Sequence, residues 1–212
     1  MTRSASERTL RDGFLRRGLQ LEYFTVSWNI VEGVVAITAA VVAGSVALLG
    51  FGVDSLVESV SGGVLIWRLR AERNGDENDE AVERIERRAE RLVAVSFFGL
   101  AAYVAIEAVR SLVARSEPEA SPVGMVLLVV SIGVMVWLAR AKRHTATALG
   151  SRALHADAAQ TLACWRLSVI ALAGVGLNAL LGWWWADPVA ALGIAVLLLL
   201  EGREAWRGGH DD

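Results

Sequence analysis

The sequence has few of the residues that support disulfide, nucleotide or hydrolytic chemistry. Its 212 residues include one cysteine, Cys164, so no disulfide can form within the chain. There is no glycine-rich nucleotide loop, no nucleophile elbow and no zinc-hydrolase helix motif. The polar, Arg-rich N-terminus also lacks the pattern of a cleavable signal peptide. These absences argue against a disulfide framework and against an enzyme.

The sequence also has few polar stretches, and they leave little room for a separate soluble domain. Instead, apolar stretches close to the ~20 residues needed to cross a bilayer recur along the chain. They cover residues 23–43, 45–67, 92–109, 123–138, 162–181 and 186–200. This pattern predicts an all-α integral membrane bundle of six transmembrane helices, embedded in the lipid bilayer of the cell membrane. The transmembrane domain would take residues 23–200, between an N-terminal segment (1–22) and a short tail (201–212).

Basic residues are concentrated in alternate connections between these stretches. Five Arg precede the first stretch and seven lie between residues 68 and 91, whereas the loop at 116–121 has none. Because Lys and Arg are enriched on the cytoplasmic side, both termini and the charged 68–91 loop are predicted to be cytoplasmic. Topology thus accounts for the Arg clusters, and no nucleic-acid partner is expected.

Two acids interrupt the second apolar stretch. Asp54 and Glu58 are four residues apart, so they lie on one face of a helix, one turn from each other. An ionised carboxylate in hydrocarbon costs several kcal/mol, and such groups usually mark an ion or substrate pathway. The alternative is a structural ion pair inside the helix bundle.

Polar residues also follow one face of the fifth predicted helix, which is expected to begin near Ser151. They are spaced three or four residues apart: Asp157, Gln160, Thr161, Cys164 and Ser168. Packed beside the second helix, this face would offer an amide oxygen and a thiolate to the two carboxylates. Four ligands of this kind can bind a tetrahedral Zn²⁺ ion. The alternative is that Gln160 and Cys164 only fill space between helices.

The predicted metal site therefore consists of Asp54, Glu58, Gln160 and Cys164. Two further acids are candidates for the same site. Glu32 lies in the first span, three residues after Asn29, and Asp157 begins the polar face of the fifth.

Two segments resemble the cation diffusion facilitator family of transporters. They are AGSVALLGFGVDSLVE, at residues 43–58, and SRALHADAAQTLAC, at residues 151–164; the Trp-Ala-Asp-Pro sequence at 185–188 also matches the start of the family's sixth span. The resemblance implies a six-span protein that exports zinc and related divalent cations, commonly in exchange for protons and as a homodimer. Asp54 and Glu58 stand where the family has its paired second-span ligands.

The sequence departs from the family pattern in the fifth span and at the end of the chain. Where the family has His and Asp four residues apart, this sequence has Gln160 and Cys164. The tail has no counterpart of the family's cytoplasmic C-terminal domain. In this respect the sequence resembles a compact branch of the family. The expected function is a divalent metal cation transporter, above all for zinc efflux by metal/proton antiport, without an organic cofactor. The alternative is a non-transporting membrane subunit that binds metal for a regulatory or structural purpose.

Overall fold

The computed structural model describes residues 5–74 and 79–208, with the side chains of residues 12–71, 91–151 and 153–207. The described residues form six α-helices and contain no strand. The helices are α1 (Ala5–Ala43), α2 (Val46–Asn74), α3 (Asp79–Ala114), α4 (Pro122–Leu149), α5 (Arg152–Leu181) and α6 (Ala186–Gly208). The predicted all-α bundle is confirmed.

The first five helices are long and apolar enough to cross a membrane. The chain is therefore a multi-pass membrane protein, as predicted. The second half of α6 carries Glu201, Arg203 and Glu204, and α6 is not among these five candidate spans. That α6 also crosses the bilayer remains a prediction.

Local sequence signals set several helix ends. Ser121 and Ser151 start α4 and α5, because each hydroxyl accepts a hydrogen bond from a backbone N–H three residues ahead. Gly150 and Gly182 end the same two helices in the left-handed conformation that glycine adopts without strain. The predicted 68–91 loop consists largely of helix, since α2 continues to Asn74 and α3 begins at Asp79.

The helices pack as three neighbouring pairs: α1 along α2, α3 along α6, and α4 along α5. Helix α2 also contacts α3, α5 and α6, so it lies at the centre of the bundle. Buried aliphatic and aromatic side chains such as Leu48, Phe51 and Leu167 fill this centre. The position of α2 explains why its polar residues are withdrawn from the bundle surface.

Three of the connections between helices lie at one end of the bundle, where two hydrogen bonds join them. The N–H of Glu119 donates to the Ala43 carbonyl at 2.8 Å, and Asn178 Nδ2 donates to the Pro118 carbonyl at 2.6 Å. The loop between α3 and α4 therefore rests on the C-terminal ends of α1 and α5. Because the helices alternate in direction, the Arg-rich connections belong to the opposite end.

Candidate metal centre

Helices α2 and α5 bring three potential metal ligands together in the bundle interior. One carboxylate oxygen each of Asp54 and Glu58 and the sulfur of Cys164 all lie within 4.8 Å of one another. All three residues are buried. Side-chain movements of small amplitude would let the three atoms share one ion, since Zn–O and Zn–S bonds are about 2.0–2.3 Å long.

Asp54 has no hydrogen-bond donor in this site. Both of its carboxylate oxygens are buried and unpartnered among the described residues. The charged side chains that act on it are Glu58, Glu201 and Glu32, all of them acids. A buried ionised carboxylate in such surroundings is very unfavourable unless a cation or a proton compensates it. The Asp54 side chain is therefore poised to receive a positive charge.

Glu58 has close neighbours on two helices. The Asn29 side chain on α1 donates through Nδ2 to Glu58 Oε2 at 3.0 Å, and the Cys164 sulfur on α5 lies within 4.8 Å of a Glu58 carboxylate oxygen. The sequence showed Asn29 as a polar residue of the first span but did not assign it to the site. Its spacing from Glu32 was visible, whereas its contact with Glu58 depends on how α1 packs against α2.

Gln160 lies one turn before Cys164, as the spacing predicts, and faces α2. Its Oε1 accepts a hydrogen bond from Ser61 Oγ at 3.3 Å, while its buried Nε2 has no acceptor among the residues that the structure describes. The structure thus places Gln160 next to the α2 residue three positions after Glu58. That it coordinates the metal stays a prediction.

The two further candidate acids have other partners. Glu32 accepts hydrogen bonds from Ser55 Oγ at 3.0 Å, from Trp28 Nε1 at 3.3 Å and from Ser131 Oγ. Asp157 pairs with Lys142, with 2.5 Å between its Oδ2 and the Lys142 Nζ. Among the described residues, neither acid belongs to the group of three clustered ligands.

Comparison with known proteins identifies the family. The family model described as "Cation efflux transmembrane domain" matches residues 24–208. The chain belongs to the cation efflux family. Its members are transporters, and this protein is accordingly a transporter of divalent metal cations. The sequence has no match among curated proteins.

This cation efflux protein contains a second buried charge cluster that the sequence analysis missed. The Lys142 ammonium on α4 lies 3.1 Å from Glu22 Oε1 and 2.5 Å from Asp157 Oδ2, and it donates to Thr161 Oγ1 at 3.3 Å. In the sequence, Lys142 stands close to Arg140 and Arg143, in a connection whose basic charge the predicted topology already explains. A signal was present, because Lys142 continues the buried face of α4 four residues after Leu138.

Asp187 connects the start of α6 to the start of α2. Asp187 at the start of α6 accepts a hydrogen bond from Ser45 Oγ at 2.5 Å. Its second oxygen accepts from the backbone N–H groups of Val46 and Ala47, at 2.9 and 3.4 Å. Asp187 therefore caps α2 from a different helix and fixes the start of the helix that carries Asp54 and Glu58.

Small residues let α1 approach α2 closely beside the site. A Cβ atom added at Gly52 would lie 2.9 Å from the Ala36 Cβ, and one at Gly62 would lie 2.7 Å from Val26 Cγ2. A Cβ at Gly33 would lie 2.9 Å from the Gly52 carbonyl oxygen. Such distances leave no room for a side chain, so these glycines set the spacing of the two helices in this transporter.

Proposed function

We propose that this cation efflux transporter exports Zn²⁺ from the cytoplasm in exchange for protons, with Asp54, Glu58 and Cys164 as metal ligands. One observation carries the proposal. Three potential ligand atoms on two helices lie within 4.8 Å of one another, and the Asp54 carboxylate has no hydrogen-bond partner within the described part of the chain. A divalent cation would supply the charge that these buried acids lack.

The ligand types favour zinc and its softer relatives over hard cations. A thiolate sulfur binds Zn²⁺ and Cd²⁺ well, whereas Mg²⁺ and Mn²⁺ prefer a shell of oxygen atoms. Two carboxylates and one thiolate would together carry three negative charges, which exceeds the charge of one dication. In the proposal Gln160 helps to orient this shell, without adding charge to it.

Proton exchange follows from the same ligands. Carboxylates and thiols bind metal only after they lose their protons, so protons and metal compete for one site. If the site opens to each side of the membrane in turn, metal leaves where protons are abundant and protons leave where metal binds. The proposal includes cytoplasmic termini, in agreement with the Arg distribution, and a homodimer, in agreement with the family resemblance.

Flux measurements on the purified protein test this proposal. The parent protein, Asp54→Asn and Glu58→Gln would each be reconstituted into liposomes that contain a trapped zinc indicator. Zn²⁺ would then be added outside under an imposed pH gradient. We expect Zn²⁺ flux in the parent that follows the pH gradient, and roughly tenfold or greater loss in each variant. Glu107→Gln is the matched control, because Glu107 pairs with Arg110 on α3 away from the site.

The outcomes separate the proposed function from its rival. Flux of Asp54→Asn or Glu58→Gln at the parent rate would show that the metal is held elsewhere. Zinc binding without flux in the parent would favour the non-transporting metal-binding subunit. Flux that does not depend on the pH gradient would support metal transport and argue against proton exchange.

A further inference from the structure

We propose that Asn29 is a further metal ligand, so that α1 joins α2 and α5 in forming the centre. The inference rests on the proposed function, because it adds the Asn29 amide oxygen to Asp54, Glu58 and Cys164. The centre would then hold four ligands from three helices, the number that tetrahedral Zn²⁺ takes from proteins in closed sites.

The Asn29 side chain is fully buried and only half of its amide group is satisfied. Its Nδ2 donates to Glu58 Oε2 at 3.0 Å, whereas its Oδ1 has no hydrogen-bond donor among the described residues. An unpartnered buried carbonyl oxygen costs about 1–3 kcal/mol. Because both atoms belong to one amide group, this free oxygen lies near the Glu58 carboxylate, which is one of the three clustered ligands.

Gln160 is the other amide near the centre, and its free atom has the wrong chemistry. The Gln160 oxygen already accepts from Ser61 Oγ, and its unpartnered atom is Nε2, a hydrogen-bond donor. A cation binds to the amide oxygen and is repelled by the N–H groups. In Asn29 the arrangement is reversed, since the nitrogen is occupied and the oxygen is free.

The packing of α1 on α2 holds Asn29 at this place. Close contacts lie on either side of it along the helix pair, between Val26 and Gly62 and between Gly33 and Gly52. These contacts hold the α1 backbone at Asn29 close to α2, so that its side chain is within reach of Glu58. Its hydrogen bond to Glu58 Oε2 also leaves the other oxygen of that carboxylate available to the metal.

The Asn29→Asp substitution distinguishes a metal ligand from a hydrogen-bond donor that only positions Glu58. The two roles predict opposite changes in metal binding. In Asn29→Asp the donor is lost and a negative charge faces Glu58. If Asn29 only positions Glu58, this variant binds metal more weakly than the parent. If Asn29 is a ligand, a carboxylate oxygen replaces the amide oxygen and binding is retained or becomes tighter, most of all for Mn²⁺, which prefers charged oxygen ligands.

The experiment is equilibrium binding of Zn²⁺, Mn²⁺ and Co²⁺ to the purified full chain in detergent, at one pH. The variants are Asn29→Asp, Asn29→Leu and, as the matched asparagine control, Asn178→Asp, whose side chain contacts Pro118 at the end of the bundle. Co²⁺ adds two optical signals. The sulfur-to-cobalt charge-transfer band reports Cys164, and the d–d bands report the number of ligands.

We expect Asn29→Leu to weaken Zn²⁺ binding roughly tenfold or more and to change the d–d bands, with the charge-transfer band retained. Asn29→Asp should keep Zn²⁺ binding and raise the affinity for Mn²⁺ relative to Zn²⁺. Unchanged binding and spectra in Asn29→Leu, or weaker binding of both metals to Asn29→Asp, would overturn the inference. Absence of the charge-transfer band in the parent would instead refute the proposed centre, and the role of Asn29 with it.

Discussion

At the scale of single residues, Cys164 is the proposed ligand that would distinguish this centre from one built of oxygen atoms alone. It lies buried between α2 and α5, within reach of both carboxylates. Its sulfur lies within 4.8 Å of a carboxylate oxygen of Asp54 and of Glu58, so it faces the proposed site. The identity of this side chain should therefore set which cations the transporter prefers.

Substitution of Cys164 should change metal preference more than it changes folding. Cys164→Ser should weaken Zn²⁺ and Cd²⁺ binding by roughly tenfold or more, because a hydroxyl is a poor ligand for these ions. Cys164→Asp should reduce discrimination against Mn²⁺. A carboxylic acid loses its proton near pH 4 and a thiol near about pH 8.5, so metal binding to Cys164→Asp should persist to lower pH.

Binding isotherms for Zn²⁺, Cd²⁺ and Mn²⁺ across pH check this prediction for the three proteins. Identical curves for all of them would assign Cys164 to packing and leave the metal to Asp54, Glu58 and other groups. Thermal melting without metal serves as the control for folding.

The sequence predicts part of the centre at this scale. The four-residue spacing of Asp54 and Glu58 predicts a shared helix face, and the resemblance indicates that α5 approaches it with Gln160 and Cys164. The partners of Asn29 and Asp157 could not be predicted, because they depend on the rotation and depth of α1 and α4 in the bundle. A single periodic pattern does not contain either quantity.

At the scale of helices, the Lys142 cluster joins α1, α4 and α5. One buried ammonium faces the carboxyl groups of Glu22 and Asp157, so the cluster has two acidic groups for one basic group. A buried ion pair adds little net stability, yet removal of one partner leaves an uncompensated charge. The three helices therefore depend on Lys142 to tolerate the two acids.

Loss of the Lys142 charge should be costly, and simultaneous loss of all three charges should not. We expect Lys142→Met to destabilise the protein by about 3–5 kcal/mol. The triple variant Glu22→Gln, Lys142→Met, Asp157→Asn should recover most of that loss, since no unpaired charge remains. Unfolding of both proteins in mixed micelles provides the comparison, and equal stability of the single and triple variants would contradict the account.

The close contact of α1 and α2 offers a second test, on two adjacent glycines. A Cβ at Gly62 would lie 2.7 Å from a methyl group of Val26, whereas one at Gly63 would meet nothing within 4 Å. Gly62→Ala should cost about 1–3 kcal/mol through overpacking. Gly63→Ala should be neutral or stabilising by up to ~1 kcal/mol, because alanine favours helix more than glycine does.

Melting temperatures in the same detergent check the pair. A loss of stability in Gly63→Ala that equals the loss in Gly62→Ala would show that the helix contact is not the cause.

The number of helices could be predicted from the sequence, because long apolar stretches are a strong signal. The contact register of the helices could not be predicted, since glycine permits close packing at every face and the chain has several in α2.

At the scale of the whole molecule, apolar side chains cover the outside of the bundle. Val42, Val113 and Leu180 are each about three-quarters or more exposed. Such surfaces are unfavourable in water and suit contact with lipid chains. The polar groups of the metal centre and of the Lys142 cluster are turned inward. The bundle therefore has the inside-out distribution of polarity expected of a membrane transporter.

The Arg distribution predicts the orientation of this bundle in the membrane. A cysteine introduced at Glu119 should react with an impermeant thiol reagent added outside the cell, and a cysteine at Asn74 should not. Both would be placed in a chain whose own Cys164 is replaced by Ala. Permeabilised cells should label both positions, which controls for access. Labelling of the position-74 cysteine alone in intact cells would show that the orientation in the membrane is the reverse of the predicted one.

The cap that Asp187 places on α2 also bears on how the protein is made. Ser45 and Asp187 are 142 residues apart in the sequence. During synthesis α2 therefore enters the membrane long before its capping carboxylate has been translated, and its first turn has backbone N–H groups without their final acceptor. Synthesis of residue 187 supplies the missing acceptor to the helix that carries Asp54 and Glu58. The capping of this helix thus depends on a late step of biogenesis, and chains released before residue 187 would have it incompletely capped.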